Sequence, residues 1–179
     1  MELYYLILLS GWIGFFFSLC SSFSKKGRSV IFYTIPSSFF WACHYTLLEG
    51  IGGAIICFLG VFRNISSLSL PFKYSKYVVI ITFLLSAVLT VMYSNNYYDL
   101  LALAGLVFIS FSVLFPDKDL QVKGSSICAR LLFLLNGVAL QSIPAVLVEV
   151  CCIAGLVYSI LKYDMPKVSS VEGDVRVRA

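Results

Sequence analysis

The chain has 179 residues, of which 60% are hydrophobic and 12% charged, with a mean hydropathy of +0.94. A water-soluble domain of this size needs far more polar surface, so a soluble fold is excluded and an all-α integral membrane protein is expected. The formal charge of +4 does not point to nucleic acid, because the basic residues are scattered between apolar runs and not gathered on one soluble face; the partner expected for them is the anionic surface of a lipid bilayer.

A helix needs about 20 mainly apolar residues to cross about 30 Å of hydrocarbon. By that ruler, spans are expected at residues 3–23, 29–48, 50–67, 77–93, 98–115, 125–140 and 143–162. Seven transmembrane helices then form one membrane domain over residues 1–163, and residues 164–179, rich in charge, Ser and Val, form a disordered cytoplasmic tail. The first helix carries Glu2 where a signal peptide has a basic region, and no small-x-small site precedes the first charged loop, so it is expected to be retained.

Lys and Arg in short loops stay on the cytoplasmic side. With the N-terminus outside, the inner loops hold Lys25, Lys26, Arg28, Lys73, Lys76, Lys118 and Lys123, and the outer segments hold only Glu2, Glu49 and Asp99. Arg63 and Arg130 fall in the inward halves of their helices, so every basic residue lies on one side. The expected topology is N-terminus outside, C-terminus inside.

The odd number of helices fits a three-one-three layout, with residues 1–67 and 98–163 as two three-helix bundles and 77–93 as a linker helix. The first and last three spans share a basic inner loop (SKKGR; PDKDLQVKG) and a very short outer turn (LEGIGG; LQSIP). A shift of about 92 places lays His44 over Asn136, so an imidazole is answered by an amide. Three-span hairpins superpose in many helical membrane proteins, and that is the competing explanation.

The stretch 35–64 holds the lone histidine, His44, and Arg63 on consecutive spans. Charged groups inside a bilayer are costly, so such residues usually face a bundle interior or water. Four candidates result: His44, Arg63, Arg130 and Glu149. Counted at about 1.5 Å per residue, His44 lies about 6–8 Å below the outer surface, Glu149 about 10 Å, and Arg130 and Arg63 about 18 Å. Glu149 is the one acid well inside, and a long Arg130 side chain can reach it; it is either a proton or cation site or one half of a structural tie. Arg63 and Arg130 either snorkel to the inner headgroups or face inward, where they would attract a carboxylate or phosphate. His44, near the outer mouth, either responds to external pH or is a neutral histidine hydrogen-bonded between helices.

Pro36 and Pro144 should free backbone carbonyls beside Ser37-Ser38 and Gln141-Ser142, where a cavity is expected. Trp12 and Trp41 lie deeper than the interfacial tyrosines and offer an aromatic lining for a ring-shaped ligand. Gly11 and Gly14, and Gly50, Gly52 and Gly53, let helices approach closely. Cysteines 20, 43, 57, 128, 151 and 152 form no C-x-x-C and are read as small buried hydrophobes, so no metal site and no cofactor is expected. No H-E-x-x-H, G-x-S-x-G or phosphate loop is present, and an enzyme is not expected.

At Gly11-Trp12-Ile13-Gly14, the charged inner loop, His44-Tyr45-Thr46-Leu47-Leu48-Glu49-Gly50 and Arg63-Asn64, the chain resembles the YgjV-type family of bacterial inner-membrane proteins. In that pattern a histidine on the second helix is followed 19 residues later by an arginine, as His44 is by Arg63. Ser142-Ile143 followed by Glu149 is a second correspondence. The family's second-repeat histidine is Asn136 here, so a mechanism needing two histidines does not carry over. The resemblance runs over roughly residues 8–165 and implies a multi-pass protein of the bacterial cytoplasmic membrane. Its layout looks like that of the SWEET, PQ-loop and nicotinamide-riboside carriers, although the Pro-Gln dipeptide is missing, and that wider kinship is a fold-level analogy.

The leading expectation is a carrier or facilitator for a small polar molecule, bound between the bundles by His44, Asn136, Glu149, Arg130, Arg63 and Trp41. The alternative is a non-transporting sensor or assembly partner acting through its basic loops and tail. Besides the bilayer and the small molecule, a second copy of the chain is an expected partner and nucleic acid is not.

Overall fold

The computed structural model describes residues 2–47, 51–93, 99–139 and 143–165. Among them lie seven α-helices and no strand: α1 (Glu2–Ser22), α2 (Gly27–Leu47), α3 (Ile51–Ser69), α4 (Phe72–Tyr93), α5 (Asp99–Leu114), α6 (Asp119–Ala139) and α7 (Ile143–Ser159), the last continuing into one π-helical turn, Ile160–Asp164. Residues 48–50, 94–98 and 140–142, with Glu49, Gln141 and Ser142, and residues 166–179 lie outside the described residues.

The breaks between helices have local causes. Pro71 lacks an N–H and disfavours helical backbone at Leu70, so α3 stops there; its carbonyl then accepts from Tyr74 and Ser75 at 2.9 and 3.0 Å and starts α4. Pro116 separates α5 from α6 in the same way. Pro36 sits inside α2 without ending it.

Five helices contain segments long and apolar enough to cross a membrane: Tyr5–Ser22, Gly52–Ser69, Phe72–Tyr93, Asp119–Ala139 and Ala145–Asp164. The apolar part of α5, Leu100–Leu114, is shorter. In α2 the apolar character is diluted by Arg28, Ser29, Thr34, Ser37, Ser38, His44 and Thr46.

The exterior is apolar and the interior is rich in hydroxyls. Trp12, Ile81, Val91, Met92 and Leu100 point outward, as suits a surface solvated by lipid. Inside, Ser18, Ser21, Ser22, Ser37, Ser67, Ser86, Ser112 and Ser159 are buried; small hydroxyl residues let helices approach and return their hydrogen bonds to nearby carbonyls. The buried stripe of α4, Ser75, Val79, Thr82, Ser86 and Thr90, has four hydroxyls in five positions at helical spacing.

Each helix packs on the next in sequence, α7 returns to α1, and α2 meets α6 while α3 meets α5. α4 thus packs between α3 and α5, and in chain order it separates a first group, α1–α3, from a last group, α5–α7. At one end the loops interlock. The Gly27 N–H donates to Asp119 Oδ1 at 2.6 Å, Arg28 pairs with Asp117 at 3.2 Å and donates to the Leu68 carbonyl, and the Ser159 hydroxyl donates to the Ser24 carbonyl at 2.6 Å.

Two expected boundaries are corrected. α4 begins at Phe72 and not at 77, and α6 begins at Asp119 and not at 125. The lysines expected in loops are helical instead: Lys73 and Lys76 lie over the Tyr74 and Tyr77 rings on the first turns of α4, and Lys123 is wholly buried within α6. Asp164, assigned to the tail, is likewise part of the folded body through Lys123.

A methyl group added at Gly27 would stand 3.0 Å from the Pro116 carbonyl, 3.1 Å from Val122 and 3.2 Å from Asp119 Oδ1, whereas one at Gly52 meets nothing within 4 Å. Gly27→Ala should therefore destabilise the protein by about 1–3 kcal/mol, through crowding and loss of the Asp119 bond. Gly52→Ala should be neutral or stabilising by up to about 1 kcal/mol. Thermal unfolding of both variants in detergent checks the contrast.

Candidate functional site

The glycines of α1 exist to receive aromatic rings from α2. A Cβ on Gly11 would lie 3.1 Å from the His44 ring and one on Gly14 would lie 3.2 Å from the Trp41 ring; across α2 and α3, Gly53 faces Tyr45 at 3.1 Å. Because the glycines yield this space, His44 Nδ1 comes within 2.9 Å of the Ile7 carbonyl. A carbonyl only accepts, so Nδ1 carries the proton. Trp41 donates to Ser18 Oγ at 3.3 Å, Ser18 and Ser37 hydroxyls meet at 2.7 Å, and Ser37 donates to the Gly14 carbonyl at 3.2 Å. That order runs as one directed chain from indole to carbonyl, tying α1 to α2. His44 and Trp41 thus lean on α1. Trp12, expected in an aromatic lining, is 67% exposed on the exterior and takes no part in one; the helical turn that points Gly11 and Gly14 inward points Trp12 away.

The second group carries an ion pair. Arg130 on α6 donates to Glu149 on α7 at 3.0 Å, with side chains 14% and 15% exposed. The height difference between the two positions is spanned by the flexible Arg side chain. Glu149 lies within Coulombic range of Tyr45 and Cys57, on α2 and α3 of the other group. Farther along α6, the Asn136 side-chain oxygen is buried without a hydrogen-bond partner among the described residues.

Arg63 does not snorkel. It is 5% exposed, and its Nη1 crosses from α3 to α5 to donate to Ser110 Oγ at 3.1 Å. Next to it Asn64 is fully buried, and neither its amide nitrogen nor its oxygen has a hydrogen-bond partner among the described residues; Arg63 Nε and Thr90 Oγ1 are in the same condition. One turn below Arg63, the Ser67 hydroxyl donates to the Val113 carbonyl, a second tie between α3 and α5.

Sequence reasoning missed Lys123. Its ammonium is 0% exposed and donates at 2.6 Å both to the Lys25 carbonyl and to Asp164 Oδ2. The Tyr163 ring is shared by three ammonium groups, those of Lys25, Lys123 and Lys162, at 5.8, 5.9 and 5.3 Å from its centroid. Together with Ser159–Ser24 and Asp119–Gly27, these bonds latch the loop between α1 and α2 to α6 and the end of α7. At the same end a crevice of about 430 Å³, lined among others by Arg28, Ser67, Phe72, Ser75, Phe115 and Lys118, opens between the α3–α4 and α5–α6 turns. None of the six sequence-predicted site residues lines it.

The two groups repeat certain pairings. Adding 92 to Trp41, Tyr45, Gly53 and Cys57 gives Phe133, Gly137, Ala145 and Glu149. Tyr45 meets Gly53 as Gly137 meets Ala145, and Gly14 meets Trp41 as Gly105 meets Phe133, although Gly105 stands one place short of the 92-place shift. Exchanging α1–α3 for α5–α7 carries the α1–α7 packing onto α5–α3 and leaves α2–α6 on itself. Cys57 and Glu149 occupy matched positions and lie within Coulombic range of one another.

The sequence model of the Imp-YgjV family, described as bacterial inner membrane protein, matches residues 5–167. The chain belongs to that family. Neither a search of curated proteins nor one of solved structures returned a match.

Breaking a largely buried ion pair from one side strands the other charge. Arg130→Met and Glu149→Leu should each destabilise the protein by about 3–5 kcal/mol, and the double variant by less than their sum, with a coupling of about 1–3 kcal/mol. A double-mutant cycle in detergent measures it; strict additivity would mean that the two side chains do not act as a pair.

Proposed function

We propose that this member of the Imp-YgjV family is a carrier or facilitator for a small polar metabolite in the bacterial cytoplasmic membrane, with its site at the seam between the two three-helix groups. The observation that carries the reading is the gathering of polar groups there. Arg63 on α3 reaches Ser110 on α5, and Tyr45 on α2 and Cys57 on α3 lie close enough to Glu149 on α7 to feel its charge. Buried polar atoms of Arg63 and Asn64, on α3 where it meets α5, lack partners among the described residues, as does the Asn136 oxygen on α6. Unsatisfied polar atoms are expensive in a bundle surrounded by lipid and are tolerated where water or a ligand serves them.

The repeated pairings support a duplicated three-helix unit with α4 as linker, a design suited to two bundles rocking about a shared site. The positive-inside bias puts the N-terminus outside and the latched end in the cytoplasm. In this reading Lys123–Asp164 and Ser159–Ser24 close the cytoplasmic gate and must part in each cycle. Glu149, Arg130, Asn136 and Arg63 hold the substrate, and His44 and Trp41 position α2 for them. No bond-making chemistry is assigned to these residues. A second reading, a non-transporting protein that docks a cytosolic partner, is favoured by the exposed crevice beside Arg28 and Lys118.

A disulfide across the latch separates the two. In a background with the six native cysteines replaced, Ser24→Cys with Ser159→Cys should, when oxidised, reduce uptake of a panel of small polar metabolites by proteoliposomes to the level of empty vesicles. Reduction should restore uptake. Uptake that ignores the crosslink, or no uptake of any panel member by the unmodified protein, would contradict the carrier reading and favour docking.

A further inference from the structure

The seam is short of one negative charge. Three basic side chains are paired with carboxylates: Arg28 with Asp117, Lys123 with Asp164 and Arg130 with Glu149. Arg63 has none among the described residues, although it is 5% exposed. Among the described residues its one hydrogen bond is to the neutral hydroxyl of Ser110, through Nη1. A guanidinium withdrawn from water with one neutral acceptor is far from compensated, because the desolvation of the charge is returned only by a counter-charge or by several good hydrogen bonds.

The geometry of what is left unused is specific. With Nη1 taken by Ser110, the free side of the guanidinium is the edge made by Nε and Nη2. Nε is buried with no acceptor, and Nη2 makes no hydrogen bond to a described residue. That edge presents two parallel N–H bonds, the arrangement that matches the two oxygens of a carboxylate. Gly60, one turn earlier on α3, contributes no side chain beside Nη2; even a methyl there would come to 3.5 Å of it. Asn64, the adjacent residue, is fully buried and brings a donor and an acceptor that are both unused.

We infer that Arg63 is the anion-binding group of the seam and that its ligand is a small monocarboxylate held on the Nε–Nη2 edge, an inference that rests on the carrier reading for its place in a transport cycle. Arg63, Arg130 and Glu149 together carry one net positive charge, so a single carboxylate brings the seam to neutrality, whereas a dianion would overshoot. Ser110 holds the guanidinium in register across α3 and α5, the two helices whose separation a rocking motion changes. Loss of the anion leaves the charge uncompensated, so ligand occupancy and the closure of α3 on α5 are coupled.

The test uses the full-length protein in detergent and compares sodium lactate with its neutral counterpart lactamide, at ionic strength held constant with sodium chloride. Lactate at tenfold excess over its Kd should raise the unfolding temperature by about 3–6 °C, from the linkage of binding to folding in a chain of this size. Lactamide should not. Arg63→Gln should abolish the lactate shift, Arg63→Lys should keep a reduced one because the charge remains and the fork is lost, and Ser110→Ala, which leaves the edge intact, should keep most of it. If Arg63→Gln fails to fold, the contrast between Arg63→Lys and Ser110→Ala carries the test. No shift with lactate, an equal shift with lactamide, or an undiminished shift in Arg63→Gln and Arg63→Lys would overturn the anion site. A lactate shift without lactate flux in proteoliposomes would leave the site standing and remove the carrier reading. Flux of neutral solutes without any lactate shift would do the reverse.

Discussion

A bundle surrounded by lipid has to satisfy its polar groups from within, because hydrocarbon offers neither a hydrogen bond nor a counter-ion. The arrangement of this protein follows from how far that requirement is met at each level. At the latched end it is met fully: Lys123, with none of its surface exposed, has a carboxylate and a backbone carbonyl at 2.6 Å. In the middle of the second group it is met by one strong pair, Arg130 with Glu149. At Arg63 and Asn64 it is met by half. The gradient from satisfied to unsatisfied locates the part of the molecule that is left for something else to complete.

Backbone approach makes these placements possible. Glycines at 11, 14 and 53 receive His44, Trp41 and Tyr45, and Gly105 receives Phe133. Each fixes the rotation of one helix about its axis relative to its neighbour, which in turn decides which residues reach the seam. The imidazole and the indole are spent on holding α2 to α1, and Tyr45, packed on Gly53 of α3, lies close enough to Glu149 to feel its charge. The hydroxyl stripe on α4 serves the same end with smaller parts, giving α3 and α5 a close-packing partner.

The helical order and the pairing of Arg130 with Glu149 were legible in the sequence, because apolar runs of membrane length are long-range signals and Glu149 is the one acid in an otherwise uncharged helix. The fate of the lysines was not. Whether a lysine marks a loop, covers a ring or is buried depends on the group it meets, and Lys123 meets Asp164, 41 residues away. A local window has no means of seeing that carboxylate. The roles of His44 and Trp41 were hidden for a related reason: a polar ring on an apolar helix reads as a site residue until the glycines opposite it are assigned. Gly11 and Gly14 were recognised as places of close approach, but their partners lay on another helix. The serine relay through Ser18 and Ser37 left one trace in sequence, hydroxyls at the depth where Pro36 interrupts the ladder of α2.

The carrier reading requires that the seam between the two groups be reachable by water and positive in charge. Cys57, native to the chain and within range of both Arg63 and Glu149, reports on this directly once the other five cysteines are replaced. The measurement is its rate of modification in sealed membrane vesicles by an anionic and by a cationic thiosulfonate reagent, both impermeant and applied from each side. The expected result is reaction from the outer side, faster with the anionic reagent, and slowed by replacing Arg63 with Gln. A folded protein whose Cys57 reacts with neither reagent from either side would mean a dry, fully packed seam and would contradict it.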